Sequence, residues 1–375
     1  MKLSFKQLSL FDEINLFNDI NKEYYQLKEF VEVKDIVPKK NFNSIELFSG
    51  AGGMALGMEN AGFENLANVE IDKDACETLR MNRPNWIVLE EDIHIVAQKG
   101  MKNYINYHGE IDLICGGVPC QAFSYAGKGK GFADTRGTLF HPMSQIIDEL
   151  KPLTFILENV RGLTTHDRGR TLETMIDVFK NLGYKIVWNV LNAWDYDTAQ
   201  KRERMFMVGI RDDLIKRQTY PYLYPKPQEY KPVLKDVLQN VPKSVGREYG
   251  EKKYNVMKLV PLGGCWIDLP EDIAKDYMKG SYYLGGGKRG MARRMDWNEP
   301  SLTLTTAPDM KQTERCHPEE TRPFTVREYA RIQSFPDNWN FSGGITSQYK
   351  QIGNAVPVTL AKYMGLSMIR YLNQF

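Results

Sequence analysis

Among five cysteines in 375 residues, Cys120 stands in a setting that suits a nucleophile. It follows Gly116-Gly117-Val118-Pro119, where a short apolar run that reads as a strand ends. A cysteine just past a strand end, behind a proline that fixes φ, is well placed for covalent work. A lone cysteine is more often a small buried apolar residue. Here its place at the edge of a presumed cofactor site favours the reactive reading. Downstream, Gly127-Lys128-Gly129-Lys130-Gly131 and Asp134-Thr135-Arg136-Gly137 read as a basic loop able to close on a phosphate backbone. Two further groups could join this chemistry. Glu158 ends the fifth apolar run, in Leu157-Glu158-Asn159-Val160. Gln200-Lys201-Arg202-Glu203-Arg204 precedes the run Met205–Ile210, and strand alternation puts Arg202 and Arg204 on one side. Taken alone, the carboxyl reads equally as a helix cap, and the charge run as a solvated face.

A second constellation begins at Phe48-Ser49-Gly50-Ala51-Gly52-Gly53, where the first strand turns into a helix. Glycines at such a turn let a ligand approach the backbone. Ala55 stands where a dinucleotide fingerprint needs its third glycine. Glu70 ends the second strand, suitably placed to accept hydrogen bonds from a ribose diol, and Asp92 follows the third, within reach of an adenine amino group. Three successive strand ends point to an adenosine-bearing cofactor. The missing glycine disfavours a pyrophosphate and fits S-adenosylmethionine.

The elements that must hold these groups are legible as alternation. Runs at Ile45–Phe48, Leu66–Ile71, Trp86–Glu90, Ile111–Cys115, Phe155–Leu157, Ile186–Leu191 and Met205–Ile210 alternate with helical stretches at Met54–Ala61, Asp74–Asn82, Met143–Leu150 and Thr171–Leu182. This predicts an α/β fold, a doubly wound and mostly parallel sheet with ligands at the carboxyl ends of its strands. Residues 1–43 form an N-terminal extension, where Leu10, Ile14, Phe17 and Phe30 hint at amphipathic helices. The expected divisions are then 44–211 for the catalytic and cofactor-binding domain, 212–347 for a smaller irregular domain, and 348–375 for a segment that completes the first. Thr325–Phe335 reads as a helix returning towards the sheet domain, and Pro357–Tyr371 as a closing amphipathic helix.

Composition narrows the class. The cysteines form no CxxC pair and no cluster with histidine, which disfavours a disulfide scaffold and a zinc site. No apolar run approaches a membrane span, and charge interrupts the start too early for a secretory segment. A cytoplasmic, soluble monomer is expected. The net charge of +2 leaves any polyanion site to local arrangement. Such an arrangement lies at 279–294, where Lys279, Lys288, Arg289, Arg293 and Arg294 occur without an acid. Arginine there could read guanine in the major groove and lysine hold phosphate. Arg315 and His317 are weaker candidates.

In order along the chain, FSGAGG, VPCQAFS, ENV, QKRER, RPFTVREYARIQSFPDNW and QIGNAVPV resemble the motifs of the DNA (cytosine-5) methyltransferases, particularly the bacterial modification enzymes. The resemblance covers about residues 44–211 and 322–370. It implies an S-adenosylmethionine-dependent enzyme that methylates carbon 5 of a flipped-out cytosine in a short sequence of double-stranded DNA. A cognate restriction endonuclease acting on the same site would accompany it. A transfer-RNA methyltransferase would share the catalytic motifs, but more than a hundred variable residues after 211 favour reading duplex DNA. A non-catalytic regulator would have no need of Cys120, Glu158 and Arg204.

Carbon 5 of cytosine is a poor nucleophile until a thiolate adds to carbon 6. The resemblance makes Cys120 that thiolate. Glu158 fits the group that holds or protonates N3, and Arg204, with Arg202 close by, the group facing O2. It places Phe48, Gly50, Gly52, Gly53, Glu70, Ile71, Asp92, Pro119, Asn354 and Val356 around the cofactor, with Phe48 stacked on adenine. DNA contacts are expected from Gln121, Ser124, Lys128, Lys130, Arg136, Lys288, Arg289, Arg293 and Arg294.

Overall fold

The computed structural model describes residues 25–118, 139–283 and 290–375. Cys120, Pro119, Gln121, Ser124, Lys128, Lys130, Arg136, Lys288 and Arg289 therefore lie outside the described residues. In chain order the strands are β1 Tyr25–Gln26, β2 Phe30–Val31, β3 Phe42–Leu47, β4 Phe63–Glu70, β5 Val88–Glu90, β6 Leu113–Gly117, β7 Thr154–Val160, β8 Tyr184–Asn192, β9 Gln200–Lys201, β10 Glu203–Arg211, β11 Tyr224–Pro225 and β12 Ser301–Leu302. The helices are α1 Gly53–Ala61, α2 Lys73–Asn82, α3 Ile93–Lys99, α4 Phe140–Leu150, α5 Arg170–Asn181, α6 Asp212–Arg217, α7 Leu234–Val237, α8 Glu251–Met257, α9 Glu271–Met278, α10 Val326–Ile332, α11 Ile345–Asn354 and α12 Val358–Leu372.

The chain divides into two compact units. The first comprises residues up to Asn192, Glu203–Gln228 and Val358–Phe375. Its eight-stranded sheet runs β1-β8-β10-β7-β6-β3-β4-β5. Every neighbouring pair is parallel except those made by β10, which lies antiparallel between β7 and β8. All seven strands expected from the alternation are present. The central strands are buried on both faces: every residue of β3 is buried, and Ile45, Leu47, Ile114, Phe155 and Leu157 share one core with Phe140 and Phe179 from the helices. Helix starts follow local chemistry. Asp72 caps α2 by accepting from the N–H groups of Asp74 and Ala75, and Asp92 caps α3 by accepting from His94. Helix α12 closes on α1 through small residues. A Cβ on Gly57 would stand 2.3 Å from that of Ala361, and one on Gly365 2.7 Å from that of Ala61.

The stretch before residue 44 differs from expectation. Phe30, read as part of a helix, lies in β2, which pairs with β11, while β1 adds a parallel edge to β8. Residues 25–43 thus belong to the first unit, because backbone pairing at a sheet edge outweighs the weak helical spacing.

The second unit comprises Ala193–Arg202 and Glu229–Pro357. It carries a small core of Tyr249, Met257, Val260, Leu269, Ala274, Ala292 and Cys316. Its boundaries fall elsewhere than at 212 and 348: residues 212–228 stay with the sheet unit, and 348–357 with the second. Helix α10, expected to return to the sheet domain, belongs to the second unit, where it packs on α11. A capping box starts it, with Thr325 and Glu328 exchanging side-chain and backbone hydrogen bonds. Among the described residues no helix is long and apolar enough to cross a membrane.

Candidate active site at the strand ends

In the first unit the chemistry-bearing side chains gather at the carboxyl ends of β3, β4, β6 and β7. The turn after β3 requires left-handed backbone at Phe48 (φ 59°), Gly50 (φ 52°) and Gly52 (φ 81°). At Phe48 this costs free energy that a glycine would avoid, a feature common where a site is preorganised. Phe48 is half-buried and packs against the core. A Cβ on Gly50 would meet nothing within 4 Å, so the backbone of this turn faces open space.

Glu70 ties this turn to the next one. One carboxylate oxygen accepts from Gly50 N–H at 2.7 Å, and the other from Ile71 and Asp72 N–H at 2.9 and 2.8 Å. A carboxylate offers about four acceptor positions, so capacity remains on the Gly50 side for a diol. Ile71 is 66% exposed beside it, an apolar side chain at the surface. Asp92 spends one oxygen on the α3 cap, accepting from His94 N–H at 2.8 Å. Beneath the turn lies Glu46, buried in β3, its carboxyl pushed well above the ordinary range by burial. The Ala55 N–H opposes that shift and Glu70 adds to it. An open turn, an exposed apolar side chain and two acceptors fit a nucleoside-bearing cofactor.

The second cluster lies across β6, β7 and β10. Glu158 pairs in register with Gly117, at the end of β6, and with Phe206 on β10. Arg204 stands two residues from Phe206 on the same face, and its Nε meets Glu158 Oε1 at 2.7 Å. Both side chains are largely sheltered, 13% and 12% exposed. Gly117 makes room for them: a Cβ there would stand 2.9 Å from Glu158 Oε2. Asn159 Nδ2 donates to the carbonyl of Val118 at 2.9 Å, fixing the chain two residues before Cys120. Asn159 and Gly117 were not singled out in the sequence, although ENV and the double glycine contained the signal.

The remaining cysteines are buried thiols. Burial, with Glu70 next, pushes Cys76 up to about 12, and burial raises Cys115 and Cys316 as well. None of these three can supply a thiolate near neutral pH.

Several expected residues are placed otherwise. Arg202 falls at the break between β9 and β10, so alternation does not carry across it, and it belongs to the second unit. It is 2% exposed and donates to the carbonyls of Leu304 (3.0 Å) and Gly353 (2.9 Å). Its expected catalytic role is corrected: the guanidinium is buried in the second unit and both of its terminal nitrogens donate to backbone carbonyls. Arg294, expected to contact DNA, is 5% exposed. It donates to the carbonyls of Val260 and Met257 at 2.8 Å and of His317 at 3.1 Å, and to Thr321 Oγ1 at 3.0 Å. That assignment is corrected too, because no face of the guanidinium is left for a base. Arg315 is buried on the carbonyls of Thr303 and Glu314, and burial lowers its pKa to about 10. His317 is buried, its Nδ1 accepting from the N–H groups of Glu319 and Glu320. Arg293 is half-buried and makes no ion pair among the described residues. Asn354 is exposed at the end of α11, and Val356 is buried just beyond it.

A family model described as C-5 cytosine-specific DNA methylase matches residues 42–370. The chain is 63% identical over 336 residues to the Type II methyltransferase M.Sau96I of Staphylococcus aureus, covering 90% of this chain and 77% of that protein. It is 51% identical over 343 residues to the Type II methyltransferase M.Eco47II of Escherichia coli, covering 89% and 80%. The fold is shared with the crystal structure of the S. pombe Dnmt2 methyltransferase at a TM-score of 0.61 and 16% identity, over 89% of this chain and 100% of that one.

Proposed function

The chain belongs to the C-5 cytosine-specific DNA methylase family, and from that premise we propose how its residues divide the work. The reaction is methylation of cytosine carbon 5 in DNA, and S-adenosylmethionine, when bound, supplies the electrophilic methyl group. Cys120 adds to carbon 6 of a cytosine flipped out of the duplex, because carbon 6 is inaccessible in the stack. Negative charge then builds on the ring. Glu158 holds N3 and Arg204 faces O2, so that charge develops against a fixed guanidinium in a sheltered site. Loss of the carbon 5 proton and departure of the Cys120 thiolate release the product.

The observation that carries this reading is the Glu158–Arg204 pair, 2.7 Å apart beside the end of the strand that leads to Cys120. Glu70 holds the ribose, Phe48 and Ile71 cover adenine, and Asp92 meets its amino group. Gly50, Gly52 and Gly53 let the cofactor approach the turn, and Pro119, Asn354 and Val356 complete its surroundings. Gln121, Ser124, Lys128, Lys130 and Arg136 contact DNA around the flipped base, and the second unit reads the sequence through Lys288, Arg289 and Arg293. The protein works as a cytoplasmic monomer that protects host DNA from a cognate restriction endonuclease.

The test begins with bisulfite sequencing of DNA from a methylation-free host expressing the protein, which identifies the target cytosine. A duplex carrying 5-fluorocytosine at that position is then offered with S-adenosylmethionine. Addition and methyl transfer proceed, but fluorine cannot leave as a cation, so the protein stays attached through denaturing electrophoresis. Cys120→Ser abolishes the adduct, whereas replacing Cys76, Cys115, Cys265 or Cys316 leaves it. An adduct that survives Cys120→Ser refutes the nucleophile, and methylation without any trapping refutes the covalent route.

A further inference from the structure

Arg202 and Gln333 surround one short piece of backbone in the second unit. Helix α11 ends at Asn354, and the last carbonyls of a helix lack partners within it. Arg202 donates to Gly353 O at 2.9 Å. Gln333 Nε2 donates to Ile352 O and to Ala355 O, both at 2.8 Å. The carbonyls on either side of Asn354 are thus held by two fully buried side chains, while Asn354 itself is exposed. The two side chains are also tied together. Gln200 Nε2 donates to Gln333 Oε1, and Gln200 Oε1 accepts from Leu304 N–H at 2.9 Å, the residue whose carbonyl Arg202 also holds. The far side is closed by packing: a Cβ on Gly353 would stand 2.1 Å from Thr305 O. Tyr329 in turn fixes Thr305, its hydroxyl donating to the carbonyl at 2.9 Å and accepting from the N–H at 3.1 Å.

An exposed side chain whose flanking backbone is pinned on both sides is preorganised for a contact. We propose that Arg202 and Gln333 are positioning residues that hold Asn354 in its cofactor-binding pose, so that the first arginine of QKRER sets cofactor affinity rather than acting on the pyrimidine. This rests on the reading of Asn354 as a cofactor contact. Lysine at position 202 cannot reach two divergent carbonyls with a planar fork, and methionine at 333 removes both donors at similar volume.

The test uses the full-length protein, with S-adenosylmethionine binding by calorimetry and the cofactor KM separated from kcat at saturating DNA. Arg202→Lys and Gln333→Met each weaken cofactor binding about tenfold, with kcat at saturation within about threefold of the parent. In an Asn354→Ala background, which is itself weakened, Arg202→Lys adds less than about threefold, because the two act through one contact. A fall in kcat with unchanged affinity places Arg202 on the substrate and overturns the proposal, as do fully additive losses. If Arg202→Lys does not fold, Gln333→Met runs the same comparison without touching the arginine motif. Weak binding by Asn354→Ala with normal binding by both positioning variants overturns the positioning role alone. Normal binding by Asn354→Ala removes the reading of Asn354 and the proposal with it.

Discussion

In the first unit, ladder bonds between strands satisfy the backbone, and the charged side chains at the strand ends are left for chemistry. Among the described residues Arg204 meets only the carbonyl of Glu203 and the carboxylate of Glu158. In the second unit the described residues hold one pair of two-residue strands, β9 with β12. Its buried carbonyls need other donors, and arginines supply them: Arg202, Arg294 and Arg315 all end on backbone. An irregular chain path leaves polar backbone without a ladder, and a guanidinium, with five donors in a fixed fork, can satisfy several carbonyls at once. The same residue type therefore carries opposite meanings. Beside a regular sheet an arginine is available to a ligand, whereas inside an irregular unit it substitutes for secondary structure.

Substitution of one arginine from each side tests this contrast. The largest effect is expected at Arg204. Arg204→Lys should lower the single-turnover methylation rate about 10²–10³-fold, as for loss of one donor to a developing charge. Its melting temperature and S-adenosylmethionine affinity should stay close to the parent's. A thermal shift comparable to that of a buried-network variant would instead make Arg204 a structural brace. Arg294→Ala should do the reverse. Stranding buried carbonyls costs about 1–3 kcal/mol each, so denaturant unfolding should show a loss of roughly 3 kcal/mol or more. Its neighbour Arg293, half-buried and without an ion pair among the described residues, should tolerate alanine with a loss under about 0.5 kcal/mol. Arg293→Ala should nonetheless change which sequences are methylated, or abolish methylation. If the two neighbours behave alike, the contrast between cage and contact is wrong for this segment.

How far the sequence reveals the molecule divides along the same line. Strand–helix alternation announces the sheet, because buried parallel strands must be apolar runs and their ends must turn, as Phe48–Gly53 and Glu158 do. Period-two reasoning fails one residue before it succeeds: Arg204 lies within β10, but Arg202 sits in the break before it. In the second unit neither period nor charge run separates Arg293 from Arg294. Only the chain path, which brings Met257, Val260 and His317 around one of them, does so. Gln200 and Gln333 carry no signal of their own, since a buried amide network is specified by long-range contacts.

A more moderate effect is expected at Glu70, where ribose binding and turn geometry share one carboxylate. Glu70→Ala removes the acceptor for three backbone N–H groups as well as for the diol, so S-adenosylmethionine binding by calorimetry should weaken roughly tenfold or more. Glu70→Gln keeps an acceptor of the same length and should lose less. Unchanged affinity in the alanine variant would remove Glu70 from the site.

The last effect carries a pH signature and lies in the second unit, where carboxylates also substitute for backbone partners. Glu328 accepts from Thr325 N–H at 2.7 Å at the start of α10 and takes both arms of Arg322, at 2.8 and 2.9 Å. Burial raises its pKa, but the Arg322 hydrogen bonds and the Thr325 N–H outweigh burial and hold it below the ordinary carboxylate value. A carboxyl whose pKa is lower in the folded state contributes stability above its unfolded value of about 4.3 and loses it as pH falls through the folded value. Glu328→Gln should therefore cost roughly 1–2 kcal/mol at pH 7. The gap between parent and variant should be constant down to about pH 5 and narrow below about pH 4. His317 Nε2 stands 3.8 Å from Glu328 Oε1; burial lowers its pKa, and the Glu328 carboxylate opposes that shift. Denaturant midpoints across that range decide the matter. A gap that does not change with pH would mean that Glu328 acts through shape and capping alone, and that the Arg322 pair contributes nothing to the stability of this unit.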